Sequence, residues 1–490
     1  MGIGSCFRLS MKAGAASLAF AISTPPVQAA LVISSAQSQN ITCANGVCAP
    51  TAADAVLNVA DLEALLNSGS VTVTTTGADV QANDIDVTTA FTWSNATNLS
   101  LDAYQSIAIE KSVSVNGSGG LSLATNDGGS GGSLSIRGKG NVVFQSLSSQ
   151  LTINGVAFTL VNSISTLASD IATDPEGDYA LANSYDAAGD GTYDGSPISG
   201  TFEGTFEGLG NSISNLSIKD ARPDQPLGLF STVIGTIENF GLLHVDIVGS
   251  KKGRNAVGAL AGTSGGHLFN VHATGKIRVQ GSNDVVGGLV GGAEYIDQSY
   301  ADVTIDGAKG TSEYSGGLAG VLVDGAINQS FSMGSVSVGD SGAAGGLVGQ
   351  FPKGAIESTI ANSYSTGSVT GGSNASIGGF FGLVTKSRLA STQFESTYSS
   401  GAVLGGGGSL LGGFGGKSST SAAYSNNYWD ETTSGTTQAL GKGNADGGIQ
   451  GETTSELQSG LPAGFDPAIW GLNRKINNGL PYLLNNPPPK

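Results

Sequence analysis

Residues 287–291 read Gly-Gly-Leu-Val-Gly, and close variants of this phrase recur along residues 227–416. There are seven occurrences, with leucine at the central apolar position in five and phenylalanine in two. The steps between these central residues are 31, 29, 29, 29, 33 and 34 residues, a period typical of solenoids and repeat arrays. The seven residues, which we predict to form one file in the core, are Leu229, Leu260, Leu289, Leu318, Leu347, Phe380 and Phe414.

Two further phrases follow the glycine phrase in most repeats. Residues 296–300 read Ile-Asp-Gln-Ser-Tyr, with counterparts at 327–331 and 360–364, and residues 303–305 read Val-Thr-Ile. Each phrase alternates apolar with small polar residues, and Gly, Asn, Asp or Ser separates it from the next. Such a pattern predicts half-buried strands joined by turns. We therefore predict an all-β parallel β-helix (β-solenoid) with three strands per repeat and inward ladders of Leu, Ile, Val and Tyr or Phe.

The glycine phrase, recurring with Ile-x-x-Ser-Tyr and Gly-x-Val, resembles the GLUG motif of bacterial surface proteins. Residues 427–435, 461–467 and 479–483 resemble the segments that close such arrays. Together these features are similar to the filamentous-haemagglutinin-like proteins of Gram-negative bacteria, over residues 200–485. The resemblance implies export, a right-handed parallel β-helix and a surface or adhesive role. It brings no catalytic residues with it.

Residues 1–29 have the pattern of an export signal peptide. A positively charged start precedes an apolar centre at 13–22, and a small-residue cleavage site ends at Ala29. The apolar run is too short to span a bilayer, and no later run of about 20 apolar residues follows. We expect a secreted or cell-surface protein with no transmembrane segment, and Met11 is an alternative start to Met1.

Cys43 and Cys48 are the two cysteines that remain after the signal peptide. The Asn-Gly pair between them is a strong turn former, and an exported chain favours a disulfide over a metal pair. A loop this small would contribute only about 2 kcal/mol, and locally. We predict a pinned turn near the N-terminus.

The charge balance excludes some classes of partner. The chain has 21 basic and 38 acidic residues and a formal net charge of −17. This charge argues against binding nucleic acid or anionic membrane surfaces, because both attract basic proteins. Hydrophobic residues make up 39% of the chain, so the ordered repeats have enough apolar surface to form a core despite 77 glycines.

We divide the chain into five segments. These are the signal peptide (1–29), an N-terminal β-helix portion with a cap (30–160), a connecting segment with the first coil (161–220), the GLUG-type repeats (221–420) and a closing segment with the tail (421–490). Apolar-x-apolar triplets in the N-terminal portion predict short strands in coils of about 20 residues or slightly more. Two short helices are predicted, one over 61–67 with Asp61 as its cap and one over 163–174, and the first is expected to cover an open end.

Carboxylates offer two candidate sites. Asp186, Asp190 and Asp194 stand at steps of four in a glycine-containing loop, which is either a solvated loop or a calcium site. Asp297, Asp302 and Asp306 lie in one repeat, and polysaccharide lyases and hydrolases need paired carboxylates. A basic loop at Lys251, Lys252 and Arg254 accompanies them.

Other repeats carry unrelated residues at the positions of these aspartates, as expected of a solvated face. His272 falls where other repeats have Tyr or Phe, which favours a ladder residue over a metal ligand. We therefore expect no catalytic, cofactor-binding or metal-binding residue and no cofactor. The preferred function is that of an adhesin-like protein that binds a glycan or a host or matrix surface, with an outer-membrane secretion partner as a further expectation. The alternative is a β-helix polysaccharide lyase or hydrolase.

Overall fold

The computed structural model describes residues 29–220, 222–252, 254–311, 313–352, 357–385, 391–419, 422–445 and 447–489. Short parallel strands, stacked coil upon coil, make up most of the molecule and form a parallel β-solenoid. The repeat period and the alternating phrases predicted this all-β fold correctly. Residues 1–28, which contain most of the predicted signal peptide and both candidate start residues, lie outside the described residues.

The N-terminal half has three sheets around one core, and their strands are parallel except for the hairpin of Ile41–Ala44 and Val47–Pro50. The first has the spatial order Ala55–Asn58, Ala30–Ser34, Asp84–Val87, Ile107–Ile109, Leu134–Ile136. The second contains Ile41–Ala44, Val47–Pro50, Val71–Thr74, Leu99–Asp102, Leu121–Ala124 and Leu151–Ile153. The third contains Phe91–Trp93, Val113–Val115 and Val142–Phe144, and a small hairpin joins Thr76–Gly77 to Val80–Gln81.

Successive coils of this half stack in register. Val71 pairs with Leu99, Leu99 with Leu121, and Leu121 with Leu151, so the coils are 28, 22 and 30 residues long. Two of the three are longer than predicted from the triplets, because turns of uneven length lie between the strands. All four residues are buried, and they form one of the vertical ladders of the core.

Helix α1 (Val59–Ser68) covers an open edge of the N-terminal half. Leu62 and Leu66 are fully buried, and the Thr97 hydroxyl donates a 2.8 Å hydrogen bond to the Leu66 carbonyl. The helix lies beside Phe91–Trp93, at the edge of the third sheet where another strand would otherwise pair. A covered edge cannot pair with a strand of another molecule.

The predicted cap of α1 is wrong. Asn58, not Asp61, is the N-cap, and its side chain accepts a 2.8 Å hydrogen bond from the Ala60 N–H. Because Asn58 ends a buried strand, the helix begins two residues earlier than predicted. Helix α2 (Ile164–Thr173) forms within the predicted range, and the Ser163 side chain caps it.

The chain reverses its direction between the two halves. Asn154 and Gly155 have φ values of 51° and 80° and form a hairpin turn, so Val156–Val161 runs antiparallel to the last N-terminal strand. Parallel pairing then resumes. The connecting strands are Tyr179–Leu181, Tyr185–Asp186, Thr192–Tyr193, Ile198–Phe202, Thr205–Glu207, Ser212–Ser214 and Ser217–Lys219.

The C-terminal half has one large sheet that bends around the coil and a narrow flank sheet. The flank sheet contains Pro226–Leu227, Ala256–Val257, Val285–Gly287, Tyr314–Gly316, Ala343–Gly345, Ser376–Gly378 and Leu410–Gly412. The large sheet contains Phe230–Val233, Thr236–Val248, Ala261–Arg278, Val290–Asp297, Tyr300–Thr311, Ala319–Asn328, Phe331–Ser332, Val336–Asp340, Val348–Phe351, Glu357–Ala361, Tyr364–Ser365, Val369–Gly371, Phe381–Val384, Ser391–Glu395, Tyr398–Ser399, Val403–Gly405, Gly415–Lys417, Ala422–Ser425, Asn427–Asp430, Leu440–Lys442 and Ile449–Glu452.

The central residues of the seven glycine phrases lie in a single vertical file. All seven are fully buried, and from Leu260 to Phe380 each backbone N–H donates to the carbonyl of the equivalent residue in the next coil, at 2.7–2.9 Å. The last glycine of the phrase packs against the flank sheet. A Cβ on Gly320 would lie 2.6 Å from the Gly291 carbonyl oxygen and 2.7 Å from the Val286 nitrogen, so a side chain cannot fit there.

The second phrase contains a left-handed corner. Ile296 points into the core, and Gln298 follows with a φ of 46°. This residue interrupts the alternation of the strand, so Tyr300 turns outward and Ala301, which is fully buried, turns inward. The same corner recurs at Asn239, Asn270, Gln329, Asn362, Ser396 and Asn426.

A ladder of serines supports this corner. The Ser330 hydroxyl donates to the Asn328 carbonyl at 2.8 Å and accepts from the Ser299 N–H of the preceding coil at 3.1 Å. Ser363 repeats the arrangement one coil later, and all three serines are fully buried. The serine of the phrase therefore satisfies buried backbone groups that the corner leaves without strand partners.

The aromatic residues of the second phrase form an outward ladder, so the prediction that they fill the interior is wrong. Neighbouring rings stack with centroids 4.7–5.1 Å apart and planes within 7° of parallel. The residue after each ring points inward instead, as shown by the hydroxyls of Ser332 and Ser365, which donate to glycine carbonyls of the core. The stacked residues are His272, Tyr300, Phe331, Tyr364 and Tyr398, with Tyr428 paired below Tyr398.

Residues 453–489, here called the strap, fold back over the aromatic ladder. Helix α3 (Glu431–Ser434) precedes the strap. The strap contains helix α4 (Thr454–Leu457), the 3₁₀ turn Asn477–Gly479 and the antiparallel pair Trp470–Gly471 and Tyr482–Leu483. The Tyr398 hydroxyl donates to the Pro481 carbonyl at 2.7 Å. The strap residues that form a buried cluster with the ladder are Leu457, Phe465, Trp470, Leu480 and Leu483.

Candidate functional site

The three aspartates suggested for an active site do not converge. Asp302 and Asp306 are exposed and alternate with buried residues along one strand. Asp297 is half-buried and lies before the corner at Gln298, on a different strand. The side chains are therefore separated by the corner and do not form an acid–base pair with one another.

The basic loop is also separate from these aspartates. Lys251, Lys252 and Arg254 are exposed, and the Arg254 N–H donates to Asp224 at 2.6 Å. A cavity of about 550 Å³ opens beside Arg254 and is also lined by Ser282, Asn283 and Tyr314. Among the described residues, those that line the cavity include no carboxylate.

The acidic loop is held by hydrogen bonds within the protein. Asp190 accepts from the hydroxyls of Tyr185 and Tyr193, and this contact raises the pKa of Tyr185 to about 12. Asp186 caps the turn Ala187–Asp190 and accepts from Asn215 at 2.8 Å. Across the described residues, no group of three His, Cys, Asp or Glu side chains is placed to hold a metal ion.

The predicted cysteine pair and His272 have clear structural positions. Cys43 and Cys48 form a disulfide across the hairpin turn. His272 stacks on Tyr300 with ring centroids 5.0 Å apart, and burial lowers the pKa of His272 to about 4. This histidine therefore remains neutral and acts as the first member of the outward ladder.

An exposed aromatic patch lies on the outer face of two consecutive coils. His267 and Phe269 stack with ring centroids 6.1 Å apart, and Tyr295 pairs with His267 on the next strand. Tyr295 is 46% exposed, and nearby Ile234 is 56% exposed. We call His267, Phe269 and Tyr295 the aromatic patch.

Two carboxylates border the aromatic patch. Phe269 lies between Glu238 on the preceding strand and Asp297 on the following one. Burial raises the pKa of both carboxyls, and a hydrogen bond from Asn328 offsets part of the effect at Asp297. Both side chains face outward, and since neighbouring strands are about 4.8 Å apart, the two strands that carry them are about 10 Å apart.

A chain of side-chain hydrogen bonds connects the strap to this border. The Trp470 Nε1–H donates to Asn362 Oδ1 at 3.4 Å, and Asn362 Nδ2 donates to Asn328 Oδ1 at 3.3 Å. Asn328 Nδ2 in turn donates to Asp297 Oδ1 at 3.2 Å. The carboxylate of Asp297 is thereby held in one orientation beside Phe269.

The solenoid also buries carboxyls beyond the border of the patch, and one of them, Glu207, is in register with Glu238 on the neighbouring strand. Glu207 is fully buried, accepts hydrogen bonds from Leu209 N–H at 2.7 Å and from Asn239 at 3.0 Å, and has a pKa raised well above its usual value by burial and then by Glu238. Asp284 and Glu313 are fully buried at equivalent positions of successive coils. Each of these two leaves one carboxyl oxygen without a hydrogen-bond partner.

The sequence reasoning missed the aromatic patch, although it contained a signal. His267 and Phe269 alternate with the core residue Leu268, and Tyr295 precedes the core residue Ile296. Three rings at outward positions of neighbouring repeats are therefore visible once the register is known. Other repeats have small or polar residues there, such as Thr236, Ala326 and Gln393.

Among the described residues, no helix is long and apolar enough to cross a membrane. No protein-family model matches the sequence. Halomucin of Haloquadratum walsbyi is 42% identical over 113 residues, which is 23% of this chain and 1% of that protein. The chain thus matches only a very small part of this relative.

Two solved structures are similar to the chain. A crystal structure of a proposed immunoglobulin A1 protease from Bacteroides ovatus has a TM-score of 0.43 and 21% identity, covering 67% of this chain and 93% of that one. An IgA1 protease has a TM-score of 0.38 and 20% identity, covering 53% of this chain and 20% of that one. Likenesses at this level assign no activity to the chain.

Proposed function

We propose that the chain is an exported, adhesin-like β-solenoid that binds glycans or a host or matrix surface through its outer face and catalyses no reaction. One observation carries this proposal. Stacked side chains fill the interior of the coils in the described part of the chain, so the outer face, where the aromatic patch lies, is the surface that these coils offer to a partner. The resemblance of the repeats to the GLUG motif of filamentous-haemagglutinin-like proteins points to the same role.

Export and surface location belong to the same proposal. The signal-like residues 1–29 end at Ala29, and the first described strand begins at Ala30. Expression in a Gram-negative host, followed by fractionation and N-terminal sequencing, tests this part. We expect the protein outside the cytoplasm with Ala30 at its N-terminus, and retention of an uncleaved chain in the cytoplasm would contradict export. An outer-membrane secretion partner would be required only if the protein reaches the cell surface or the medium.

Binding and catalysis are separated by a paired assay. The protein is applied to a glycan array, and the glycans that bind are then assayed for new reducing ends and for unsaturated products. We expect binding without product. Product formation would instead support the second candidate, a polysaccharide lyase or hydrolase.

The observation that favours this second candidate is the position of Glu238 and Asp297. Both carboxyls have raised pKa values and border one outward surface. Their strands are about 10 Å apart, slightly more than the roughly 6.5–9.5 Å between the carboxyl groups of inverting glycosidases. If product forms, Glu238→Gln and Asp297→Asn should each abolish it while leaving binding measurable.

A further inference from the structure

The aromatic patch has the chemistry of a sugar-binding surface. Sugar rings present an apolar C–H face and a rim of hydroxyl groups. Tyr295 and Phe269 offer ring surfaces to the first, and the carboxylates of Glu238 and Asp297 accept hydrogen bonds from the second. The two carboxylates lie on either side of Phe269, so one sugar ring on Phe269 can reach both.

The charges around the patch select among sugars. Glu238, Asp297 and Glu294 are acidic, and the whole chain has a net charge of −17. An anionic polysaccharide would bring further negative charge to this surface, whereas a neutral one would not. The site is built for a neutral ligand.

The hydrogen-bond chain from Trp470 to Asp297 prepares the surface in advance. Asn328 Nδ2 and the Gln298 N–H both donate to the Asp297 carboxylate and so fix its orientation. A carboxylate can accept about four hydrogen bonds, so acceptor capacity remains for a ligand hydroxyl. An acceptor that is already oriented loses less conformational entropy on binding than a free one.

We propose that the aromatic patch binds a neutral polysaccharide, with sugar rings on Phe269 and Tyr295 and hydroxyl groups donating to Glu238 and Asp297. This inference rests on the proposed function and assigns its glycan-binding site. Asn328 is a positioning residue that acts through Asp297.

The full chain without residues 1–29 is titrated by calorimetry with cellohexaose, mannohexaose and chitohexaose, and with polygalacturonate as the anionic probe. We expect at least one neutral probe to bind and polygalacturonate not to bind. Tyr295→Ala and Phe269→Ala should each weaken binding by about tenfold or more, as aromatic contacts at the centre of an interface do. Leu404→Ala, which removes a 59% exposed apolar residue elsewhere, and Tyr314→Ala are the matched controls and should change nothing.

A second set of variants tests the acidic border. Asp297→Asn should weaken the neutral probe and reduce the discrimination against polygalacturonate. Asn328→Ala should weaken the neutral probe in the native background and have little further effect in Asp297→Asn, because both act through one carboxylate. Unfolding curves establish that each variant is folded.

Three results would overturn the site. They are failure of all three neutral probes to bind, tighter binding of polygalacturonate than of the neutral probes, and unchanged affinity in Tyr295→Ala and Phe269→Ala. In the last case glycans bind elsewhere, so the site fails while the adhesin-like function stands. Release of product from a bound probe, lost in Asp297→Asn, would contradict the proposed function while keeping the patch as the binding site.

Discussion

Replacing Glu313 with glutamine should reduce the pH dependence of stability. Glu313 lies directly before the flank strand Tyr314–Gly316 and has no exposed surface. Burial raises its pKa from 4.5 to about 8; the charge of Asp284 adds to this effect, and a hydrogen bond from the Gly339 N–H opposes it. One of its carboxyl oxygens has no hydrogen-bond partner, so the protein offers little to stabilise a charge there.

The sign and size of the effect follow from this raised pKa. Below pH 4.5 the carboxyl is protonated in both the folded and the unfolded chain, and its contribution to stability is fully present. As the pH rises from 4.5 towards 8, the unfolded chain releases the proton and the folded chain retains it, so the free energy of unfolding falls. At about 1.4 kcal/mol per pH unit, the loss due to Glu313 is about 3 kcal/mol between pH 4.5 and 7.

Urea unfolding at pH 4.5, 5.5, 6.5 and 7 measures this loss. Glu313→Gln should lose less stability than the native protein over this range, by about 3 kcal/mol between pH 4.5 and 7. The change of stability with pH is compared, and not the absolute stability, because the glutamine amide forms different hydrogen bonds from the carboxyl group. The matched control is Glu176→Gln, at an exposed carboxylate. If the native protein and Glu313→Gln lose stability in parallel, Glu313 ionises normally and the argument from burial fails.

Three other substitutions test the solenoid and the strap. Ser330→Ala should cost about 2 kcal/mol in urea unfolding, because the buried Ser299 N–H loses its acceptor, whereas the exposed Ser368→Ala should cost almost nothing. Leu318→Ala should cost about 3 kcal/mol by leaving a cavity in a fully buried file, and a loss below about 1 kcal/mol would contradict that position. Trp470→Ala should speed trypsin cleavage of the strap without changing the circular dichroism of the solenoid, because the tryptophan packs on the outward ladder rather than in the core. If Trp470→Ala also reduced the circular dichroism of the solenoid, the strap would be part of the core.

The sequence predicted the register of the repeats with single-residue accuracy. The seven central residues of the glycine phrases were chosen from spacing alone. In the structure they are buried at equivalent positions of successive coils, and most are hydrogen-bonded to the next. This succeeded because closely packed glycines fix the phrase, with three of them at 287–291, 316–320, 345–349 and 378–382. A Cβ at Gly287, Gly288 or Gly291 would approach backbone atoms to 1.9, 2.1 and 2.5 Å, respectively. These positions therefore do not accept residues other than glycine.

Strict alternation failed at the second phrase. Counting by two from the inward Ile296 places Tyr300 inside, and this was the basis of the predicted aromatic interior. The left-handed residue Gln298 shifts the phase by one and sends Tyr300 outward. Glutamine is not a common marker of that conformation, and only the recurrent Asn at positions such as 239, 270 and 362 hinted at it.

The candidate site was less predictable than the fold for a related reason. Choosing Asp297 with Asp302 and Asp306 relied on closeness in sequence, but in a solenoid the residues that share a surface are about 30 positions apart. The true neighbours of Asp297 are Phe269 and Asn328, at distances of 28 and 31 residues along the chain. Candidate sites in such a chain are therefore found by comparing residues at equivalent positions of neighbouring repeats.

The strap covers the outward aromatic ladder and so keeps it from contact with other molecules. Stacked rings such as Phe331, Tyr364 and Tyr398 would form a continuous apolar strip if uncovered, and such strips associate with other molecules. Trp470 and its neighbours bury this strip, and α1 covers a strand edge at the other end of the molecule. The exposed rings that remain on the aromatic patch are consequently those least explained by folding. That contrast is the physical reason to look for the ligand there and not along the ladder.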